Sequence, residues 1–407
     1  MRILIVSQYF WPENFKINDF VLGMTELGHN ISVLTGKPNY PSGKFFAGYN
    51  FFNKRTDLFH GIQVIRSPLI PRGKGGGFRL VINYFSFALF ASLTAIFRIR
   101  EKFDVIFVYE PSPITVGIPA IVLKKKSGAP LFFWVQDLWP DSVEAAGNIK
   151  NPLILSILNK LVITIYKHSD KIFISSRSFS ESIMNKNVPG SKIVYYPNWA
   201  EEIYLSEVIN TGKYSGLMPF GFKIMFAGNI GNSQDFESII QAASLLKVNR
   251  KIHWLIIGDG RKKEWLEEEI TRLGLNTNFH ILGNFPKEEM PNFFYHCDAM
   301  LVTLKKSEIF RLTVPAKIQS YLAVGKPILA MLNGEGAAII EEAKAGISCE
   351  AGNFQQLACN VEYLFNSDKN ELIRMGANAK KYYHENFDRS KLFKKFEQIY
   401  LDMHSEL

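Results

Sequence analysis

Short apolar runs alternate with longer segments of helical periodicity along almost the whole chain. In the first half, strand-like runs lie at residues 3–7, 31–35, 62–66, 105–109, 131–135 and 171–175. Helix-like segments lie between them, at residues 15–27, near 78–98, from 114 onwards, and near 154–167. This alternation predicts an α/β fold in which helices cover both faces of a parallel sheet.

The alternation breaks at residues 195–217, a stretch that becomes polar, and restarts at Lys223. We therefore expect two doubly wound, Rossmann-like domains that face each other across a cleft, with ligands beyond the carboxyl ends of the strands. The expected division places the first domain at 1–200, a linker at 201–222, and the second domain at 223–376. Residues 377–407 should form helices that cross back towards the first domain.

Two strands of the expected second domain run directly into glycine loops. Glycine lets the backbone approach a diphosphate closely, and the helix that follows offers N–H donors at its start. The pattern indicates a ligand linked to a nucleotide, although ordinary strand-to-helix turns also use glycine. The residues of the two loops are Gly228, Asn229, Gly231, Gly258, Asp259 and Gly260.

Cations near the second-domain glycine loops are candidates for holding phosphate. Arg311 and Lys317 lie on either side of Pro315, where the pattern predicts that a helix begins. A cation at that position can pair with phosphate while backbone N–H groups assist, whereas the alternative is a solvated surface. Arg261, next to the second glycine loop, is a third candidate.

Three carboxylates follow strands of the first domain. Asp137 comes after the run at 131–135, Glu110 after the run at 105–109, and Glu13 after the first strand. Chemistry in α/β proteins concentrates at the carboxyl ends of strands, so these are candidate catalytic residues. For Asp137 the alternative is a helix N-cap.

Charge is distributed unevenly along the 407 residues. The net charge is +9, but the first 200 residues carry +11 and the remainder −2. A basic first half suggests a polyanionic partner, for which an anionic membrane is a better candidate than nucleic acid, since no nucleic-acid-binding module is recognisable. Three scattered cysteines without paired spacing are typical of a reducing cytoplasm.

Residues 80–97 form an uncharged stretch between Arg79 and Arg98. Its length is at the lower limit for spanning a bilayer, and a spanning helix would disrupt the sheet. Two interpretations stay open: a buried helix, or a helix partly exposed at a bilayer surface. The basic residues that would support the second are Arg72, Lys74, Arg79, Arg98, Arg100 and Lys102.

Several motifs together resemble the GT-B glycosyltransferases of family 4, and more narrowly the WbuB-type L-fucosamine transferases of bacterial O-antigen or capsule synthesis. They are residues 7–14 (SQYFWPEN), 34–43 (LTGKPNYPSG), 136–141 (QDLWPD), 228–231 (GNIG) and 314–319 (VPAKIQ). The resemblance implies a hexosyltransferase that transfers N-acetyl-L-fucosamine from its UDP donor, with retention of configuration, onto a lipid-linked glycan. The second domain would bind the donor and the first domain the acceptor.

The resemblance further implies an enzyme without a cofactor, located in the cytoplasm and peripheral on the inner face of the cell membrane. No D-x-D sequence occurs, and the eight histidines lack metal-ligand spacing, so we expect no metal site. Two alternatives stay open: an enzyme of the same fold similar to UDP-N-acetylglucosamine 2-epimerase, and a non-catalytic scaffold that binds sugar or membrane.

The chain departs from the family pattern at the donor site. Leu312 and Ser320 stand where many members have a Glu-x7-Glu pair, and Asn229 and Gln234 stand where an arginine and a lysine are usual. These departures leave Arg311 and Lys317 as the expected diphosphate partners. They also leave the ribose contact to another residue, for which Gln319 and Glu335 are candidates.

Overall fold

The computed structural model describes residues 1–73, 76–147, 151–206 and 212–405. The chain forms two compact units, Met1–Pro197 with Leu392–Leu407, and Asn198–Lys391. The second unit begins a few residues before the expected linker, and the last helix of the chain belongs to the first unit. Lys74 and residues 207–211 of the expected linker lie outside the described residues.

The first unit is built on an eight-stranded sheet in the order β3-β4-β2-β1-β5-β6-β7-β8. All neighbouring strands are parallel except β3, which pairs antiparallel with β4 and was not expected from the sequence. Parallel strands covered on both faces are apolar throughout, as in β6, where every residue is buried. The strands are β1 Arg2–Ser7, β2 Asn30–Gly36, β3 Thr56–Phe59, β4 Ile62–Ser67, β5 Val105–Glu110, β6 Leu131–Val135, β7 Lys171–Ile174 and β8 Ile193–Tyr195.

In the described residues of this unit, six helices connect the strands, and local signals define several of their ends. Asn151 caps the helix that starts at Pro152, because its side-chain oxygen accepts hydrogen bonds from the N–H groups of Leu153 and Ile154. Gly128, with φ of 75°, ends the third helix in the left-handed region. The helices are α1 Lys16–Glu26, α2 Gly77–Phe97, α3 Gly117–Ser127, α4 Asp141–Gly147, α5 Pro152–His168 and α6 Phe179–Met184.

The second unit has a six-stranded, fully parallel sheet in the order β11-β10-β9-β12-β13-β14. Its strands are β9 Phe222–Ala227, β10 Ile252–Ile257, β11 Phe279–Gly283, β12 Ala299–Thr303, β13 Ile328–Met331 and β14 Gly346–Cys349. Its helices are α7 Phe236–Leu245, α8 Lys263–Arg272, α9 Met290–Tyr295, α10 Glu308–Leu312, α11 Lys317–Val324, α12 Glu335–Glu342, α13 Phe354–Asn366 and α14 Lys369–Asn386.

The last helix, α15 Arg389–Ser405, packs on the first unit through aromatic contacts. Phe396 is fully buried, with its ring centroid 4.9 Å from that of Phe107 and 5.2 Å from that of Phe20. Phe20 lies on α1 and Phe107 on β5, so this cluster joins the C-terminal helix to one face of the first sheet.

Helix α2 has two different faces. The inner, buried face carries Phe87 and Asn83 together with small residues, among them Ala88, Ala91 and Ala95. The outer face exposes large apolar side chains at helical spacing, which a buried helix would not do. They are Phe78, Val81, Phe85, Leu89, Leu93, Ile96 and Phe97. Within the described residues, Gly77–Phe97 is the one helix that is long and apolar enough to cross a membrane.

Candidate functional site

The strand order of the second sheet reverses between β9 and β12. From β9 the chain moves through β10 to β11 on one side, and from β12 it moves through β13 to β14 on the other. Ligands of open α/β sheets bind at the carboxyl ends of strands beside such a reversal, because the flanking loops diverge there. The residues of this unit that the sequence predicts to bind phosphate should therefore lie at the carboxyl ends of β9 and β12.

The two glycine loops pack against each other at this reversal. Gly258 has φ of 143°, and a Cβ placed on it would lie 1.9 Å from the carbonyl oxygen of Gly228. Two backbone hydrogen bonds join the loops, from Gly228 N to Ile257 O (2.9 Å) and from Ile230 N to Asp259 O (2.8 Å). Only glycine satisfies both the close approach and the backbone conformation at position 258.

Some of the other residues predicted in and beside the loops are exposed, and one is buried. Asn229, Asp259 and Arg261 are exposed, whereas Gly231 is buried. The carboxylate of Asp259 accepts a hydrogen bond from the N–H of Gly260 at 2.8 Å. The exposed residues are therefore accessible to a ligand, and the buried glycine shapes the turn.

Lys317, the first residue of α11, reaches the first glycine loop. Its Nζ lies 3.6 Å from the centroid of the Phe226 ring and donates to Gln234 Oε1 at 3.1 Å. A Cβ placed on Gly228 would lie 3.0 Å from the same Nζ. Burial lowers the pKa of Lys317 from 10.5 to about 7. No carboxylate of the described residues pairs with it, so an arriving anion would restore its full charge.

Arg311 and Gln319 are placed differently from Lys317. Arg311 lies on α10, is exposed, and forms an ion pair with Glu308 one helical turn away. Gln319 is buried, and its amide, oriented to satisfy its neighbours, donates to the carbonyl oxygens of Ala316 (3.0 Å) and Pro315 (3.2 Å). The amide nitrogen of Gln319 is therefore already hydrogen-bonded within the protein. Glu335, the other candidate for the ribose contact, is the first residue of α12.

Lys305 is a cation of this region that sequence reasoning missed. Its N–H donates to Ser233 O at 2.9 Å, and its Nζ lies 3.4 Å from the Glu237 carboxylate, which also pairs with Lys262. The loop after β12 is thereby tied to the loop after β9. No motif signals these contacts, because Lys305 and Glu237 are far apart in the chain.

The first sheet has its own reversal between β1 and β5. Glu13 lies there but is 2% exposed, and its carboxylate accepts hydrogen bonds from the N–H groups of Asn39 and Tyr40, both at 2.7 Å. Burial raises its pKa to about 7, against the lowering effect of its backbone hydrogen bonds. The observed contacts of the Glu13 carboxylate are thus with backbone N–H groups, those of the loop that follows β2 and that of Phe10 at 3.3 Å.

Asp137, two residues after β6, is half-buried and accessible. Burial raises its pKa to about 6, while the Ser142 hydroxyl and the Trp139 indole N–H act to lower it. Trp139 itself packs in the interior, 6.2 Å from the ring of Tyr84 on α2. The pKa of the Asp137 carboxyl therefore lies near 6, at the end of β6.

Glu110 ends β5 but does not reach the surface. Its side chain is fully buried, and burial raises its pKa well above the usual range, with the nearby Asp137 carboxyl adding to the effect. An accessible carboxylate at the strand end was expected here, and the structure places the group inside instead. The aromatic side chains of Tyr109 and Trp199 are also buried in the core.

The described residues contain no group of three or more His, Cys, Asp or Glu side chains that could hold a metal ion. The positive groups near the glycine loops are the side chains of Arg261, Lys262, Lys305 and Lys317.

Comparison with known proteins agrees with this geometry. Residues 16–199 match the model of the glycosyl transferase 4-like domain, and residues 221–382 match that of glycosyl transferases group 1. Both halves of the chain are glycosyltransferase domains. This similarity places the protein among the glycosyltransferases and confirms that part of the resemblance seen in the sequence.

Two curated relatives are similar over large parts of the chain. The probable glycosyltransferase WbjE of Pseudomonas aeruginosa is 31% identical over 59% of this chain, a match that spans 62% of the relative's own length. The putative colanic acid biosynthesis glycosyl transferase WcaI of Escherichia coli is 26% identical over 80% of this chain and 82% of its own.

Solved structures agree in fold. Anabaena Alr3699/HepE in complex with UDP has a TM-score of 0.71 and 14% identity over the full length of both chains. Sucrose-phosphate synthase from Thermosynechococcus elongatus has a TM-score of 0.75 and 12% identity, also over the full length of both. The expected two-domain α/β fold of the GT-B class is confirmed.

We predict that Gly258→Ala disrupts the packing of the two glycine loops. The added methyl group would collide with the Gly228 carbonyl in a backbone conformation that disfavours alanine, at a cost of about 1–3 kcal/mol for the conformation alone. Urea unfolding measures the loss of stability. Gly216→Ala, which meets nothing within 4 Å, is the matched control; equal stability of the two variants would contradict the prediction.

Proposed function

We propose that this protein transfers a hexosyl residue from a UDP donor onto a lipid-linked glycan acceptor, with retention of configuration. The donor would bind to the second unit, at the reversal between β9 and β12. The acceptor would bind to the first unit, near Asp137. The reaction releases UDP, so the site must stabilise negative charge that develops on the leaving diphosphate.

The arrangement of Lys317 over the glycine loops is the observation that best supports this proposal. A half-buried lysine that pairs with no carboxylate in the described part of the chain lies beside Gly228, where the backbone is accessible. A diphosphate bound there would gain the lysine charge in a place of reduced solvent screening, together with backbone N–H groups. The structural neighbour Alr3699/HepE was solved with UDP and with UDP-glucose, which supports a UDP-linked donor.

The identity of the sugar rests on sequence motifs. We propose N-acetyl-L-fucosamine because the motifs at 7–14, 34–43 and 136–141 resemble those of the WbuB-type transferases. Synthesis of O-antigen or capsule is the corresponding role, and the name of the WcaI relative, a putative colanic acid enzyme, supports a polysaccharide product. We propose that no metal or other cofactor takes part.

We also propose a location in the cytoplasm, on the inner face of the cell membrane. The outer face of α2 supports this, and α5 adds exposed Leu153, Ile154 and Ile157, which the sequence did not single out. Exposed Arg79, Arg98, Arg100 and Lys102 lie at the two ends of α2. An apolar face with basic ends fits insertion into an anionic bilayer surface.

The transfer reaction is tested with radiolabelled UDP-sugars and a lipid-linked acceptor. We expect label in the lipid fraction, with the UDP form of N-acetyl-L-fucosamine as the best donor, and the same rate in EDTA. Epimerised donor without transfer would instead support the epimerase alternative. Activity that EDTA abolishes and manganese restores would contradict metal independence.

Lys317→Ala should weaken the binding of UDP by about 1.5–3 kcal/mol, because a charge-assisted hydrogen bond is lost. Binding should also take up protons near neutral pH in the parent, since UDP would raise the lowered pKa of Lys317, and this uptake should disappear in the variant. Calorimetry in two buffers of different ionisation enthalpy measures both effects.

Exposed Lys247→Ala is the matched control for the calorimetric experiment, and Arg311→Ala tests the second predicted cation. The effect of Arg311→Ala should be the smaller, because Glu308 already neutralises that side chain. Unchanged UDP affinity in Lys317→Ala, with the fold intact, would refute the proposed donor site.

Membrane binding is tested by sedimentation with phosphatidylglycerol vesicles across a salt series. Replacing Leu89 and Leu93 by serine should remove the binding that persists at high salt, because apolar burial is not screened. Reversing the charges of Arg79 and Lys102 should reduce binding at low salt by about 1 kcal/mol per residue.

The vesicle experiment has controls of similar exposure elsewhere in the chain. Ile373 and Leu401, replaced by serine, match the apolar pair, and Lys247 and Lys381 match the charged pair. Equal losses from test and control variants, or no binding by the parent protein, would rule out this surface as the membrane contact.

A further inference from the structure

Two loops of the first unit touch through their glycines at the carboxyl ends of β2 and β4, which are parallel neighbours. The backbone N–H of Gly73 donates to the carbonyl oxygen of Gly43 at 3.0 Å. Gly43 has φ of 75°, and a Cβ placed on it would overlap the carbonyl oxygen of Gly73. Glycine at position 43 therefore lets the two loops meet at one edge of the first sheet.

Buried polar groups fix the positions of both loops. The Glu13 carboxylate accepts hydrogen bonds from the backbone N–H groups of Asn39 and Tyr40, both at 2.7 Å. Asn39 has no exposed surface, and its side-chain oxygen accepts a hydrogen bond from the backbone N–H of Arg72 at 3.1 Å. Glu13 thus holds the turn that holds Arg72, which is a role for this buried carboxylate other than contact with a substrate.

The guanidinium group of Arg72 lies over an aromatic ring and has no polar partner in the protein. Its Cζ is 4.9 Å from the centroid of the Tyr40 ring, which packs against Tyr9 at 5.7 Å and Phe15 at 5.4 Å. No oxygen of the described residues accepts a hydrogen bond from this guanidinium, and no carboxylate among them pairs with it. A guanidinium held in this way keeps its N–H donors available for an oxyanion, above all a phosphate.

The loop that carries Arg72 leads directly into the helix with the exposed apolar face. On the first turn of α2, Arg79 Nε donates to the carbonyl oxygen of Pro71 at 3.2 Å, which joins the loop to the start of the helix. Phe78, the neighbouring residue, is 80% exposed. A ligand that places a phosphate at Arg72 and an apolar chain beside Phe78 would match both features, and a lipid phosphate has this chemistry.

We propose that Arg72, held by Asn39 and Tyr40, binds the phosphate through which the acceptor's lipid is joined to its glycan. The guanidinium would donate charge-assisted hydrogen bonds to the phosphate oxygens, with the lipid chain directed along the outer face of α2. This inference rests on the proposed function in one respect, that the acceptor is linked to a lipid. It adds a binding site for the linking phosphate.

Binding of farnesyl diphosphate, a short lipid diphosphate, tests the site in solution by calorimetry. Arg72→Gln should weaken binding by about 10- to 100-fold, as expected for the loss of charge-assisted hydrogen bonds. Arg72→Lys should lose less, because it keeps the charge but not the planar fork of donors. Tyr40→Phe should bind as the parent does and Tyr40→Leu more weakly, since the ring and not the hydroxyl supports Arg72.

The matched control is Lys125→Gln, an exposed substitution on α3 that should leave the affinity unchanged. Farnesol, which lacks the phosphates, measures the contribution of the apolar chain. Arg72→Gln should unfold at the same urea concentration as the parent, which separates a lost contact from a damaged fold. A parent that binds farnesyl diphosphate no better than farnesol, or an Arg72→Gln variant with the parent's affinity, would overturn the inference.

Competition identifies the source of the phosphate. Dihexanoyl phosphatidylglycerol, used below its micelle concentration, should not displace farnesyl diphosphate from the parent. Displacement at equal concentration would assign the site to a membrane phospholipid and contradict the acceptor phosphate. These measurements need neither donor nor transfer, so phosphate binding that depends on Arg72 in a protein without transfer activity would refute only the proposed reaction. Transfer without such binding would refute only this site.

Discussion

The contact between Gly228 and Gly258 is the constraint on which the second unit depends. A side chain at position 258 would fall 1.9 Å from a carbonyl oxygen, so the loops after β9 and β10 can meet only as bare backbone. The meeting point lies beside the reversal of strand order, where an α/β sheet leaves room for a ligand. Lys317 adds a cation to this backbone surface, and the glycine at 228 leaves space for its ammonium group.

Burial acts in opposite directions on the two sites. In the second unit it lowers the pKa of Lys317, so that an incoming diphosphate meets a group that gains charge on binding. In the first unit it raises the pKa values of Glu13, Glu110 and Asp137, so that acidic groups retain protons closer to neutral pH. Both shifts have the same origin, the loss of hydration, and each leaves a group sensitive to the charge of its ligand.

Much of the fold could be predicted because parallel strands buried on both faces are continuous apolar runs. The run at 131–135 is β6 with the same limits, and α2 was placed within one residue at either end. Strand β3 was missed because it is a short strand at the sheet edge, with only Phe59 fully buried. The exposed apolar residues of α5 were not predicted, because its periodicity indicates a helix but not which of its apolar residues the fold covers.

The candidate site was predictable only where local sequence carries the signal. Glycine loops and carboxylates that follow strands can be recognised from the sequence alone. The ion pair of Arg311 with Glu308 could also have been predicted, because the two residues have helical spacing. The contacts of Lys305 with Glu237, and the complete burial of Glu110, depend on which distant elements the fold brings together. The sequence alone therefore predicted that Glu110 lies at a strand end, but not that its side chain is buried.

Hydrogen–deuterium exchange with and without UDP tests the account most directly, because it locates the ligand in the chain. The account predicts that UDP slows exchange in peptides covering residues 228–235 and 258–262, and in the first turn of α11. Saturating UDP that leaves these peptides unchanged, or that protects only peptides of the first unit, would contradict it.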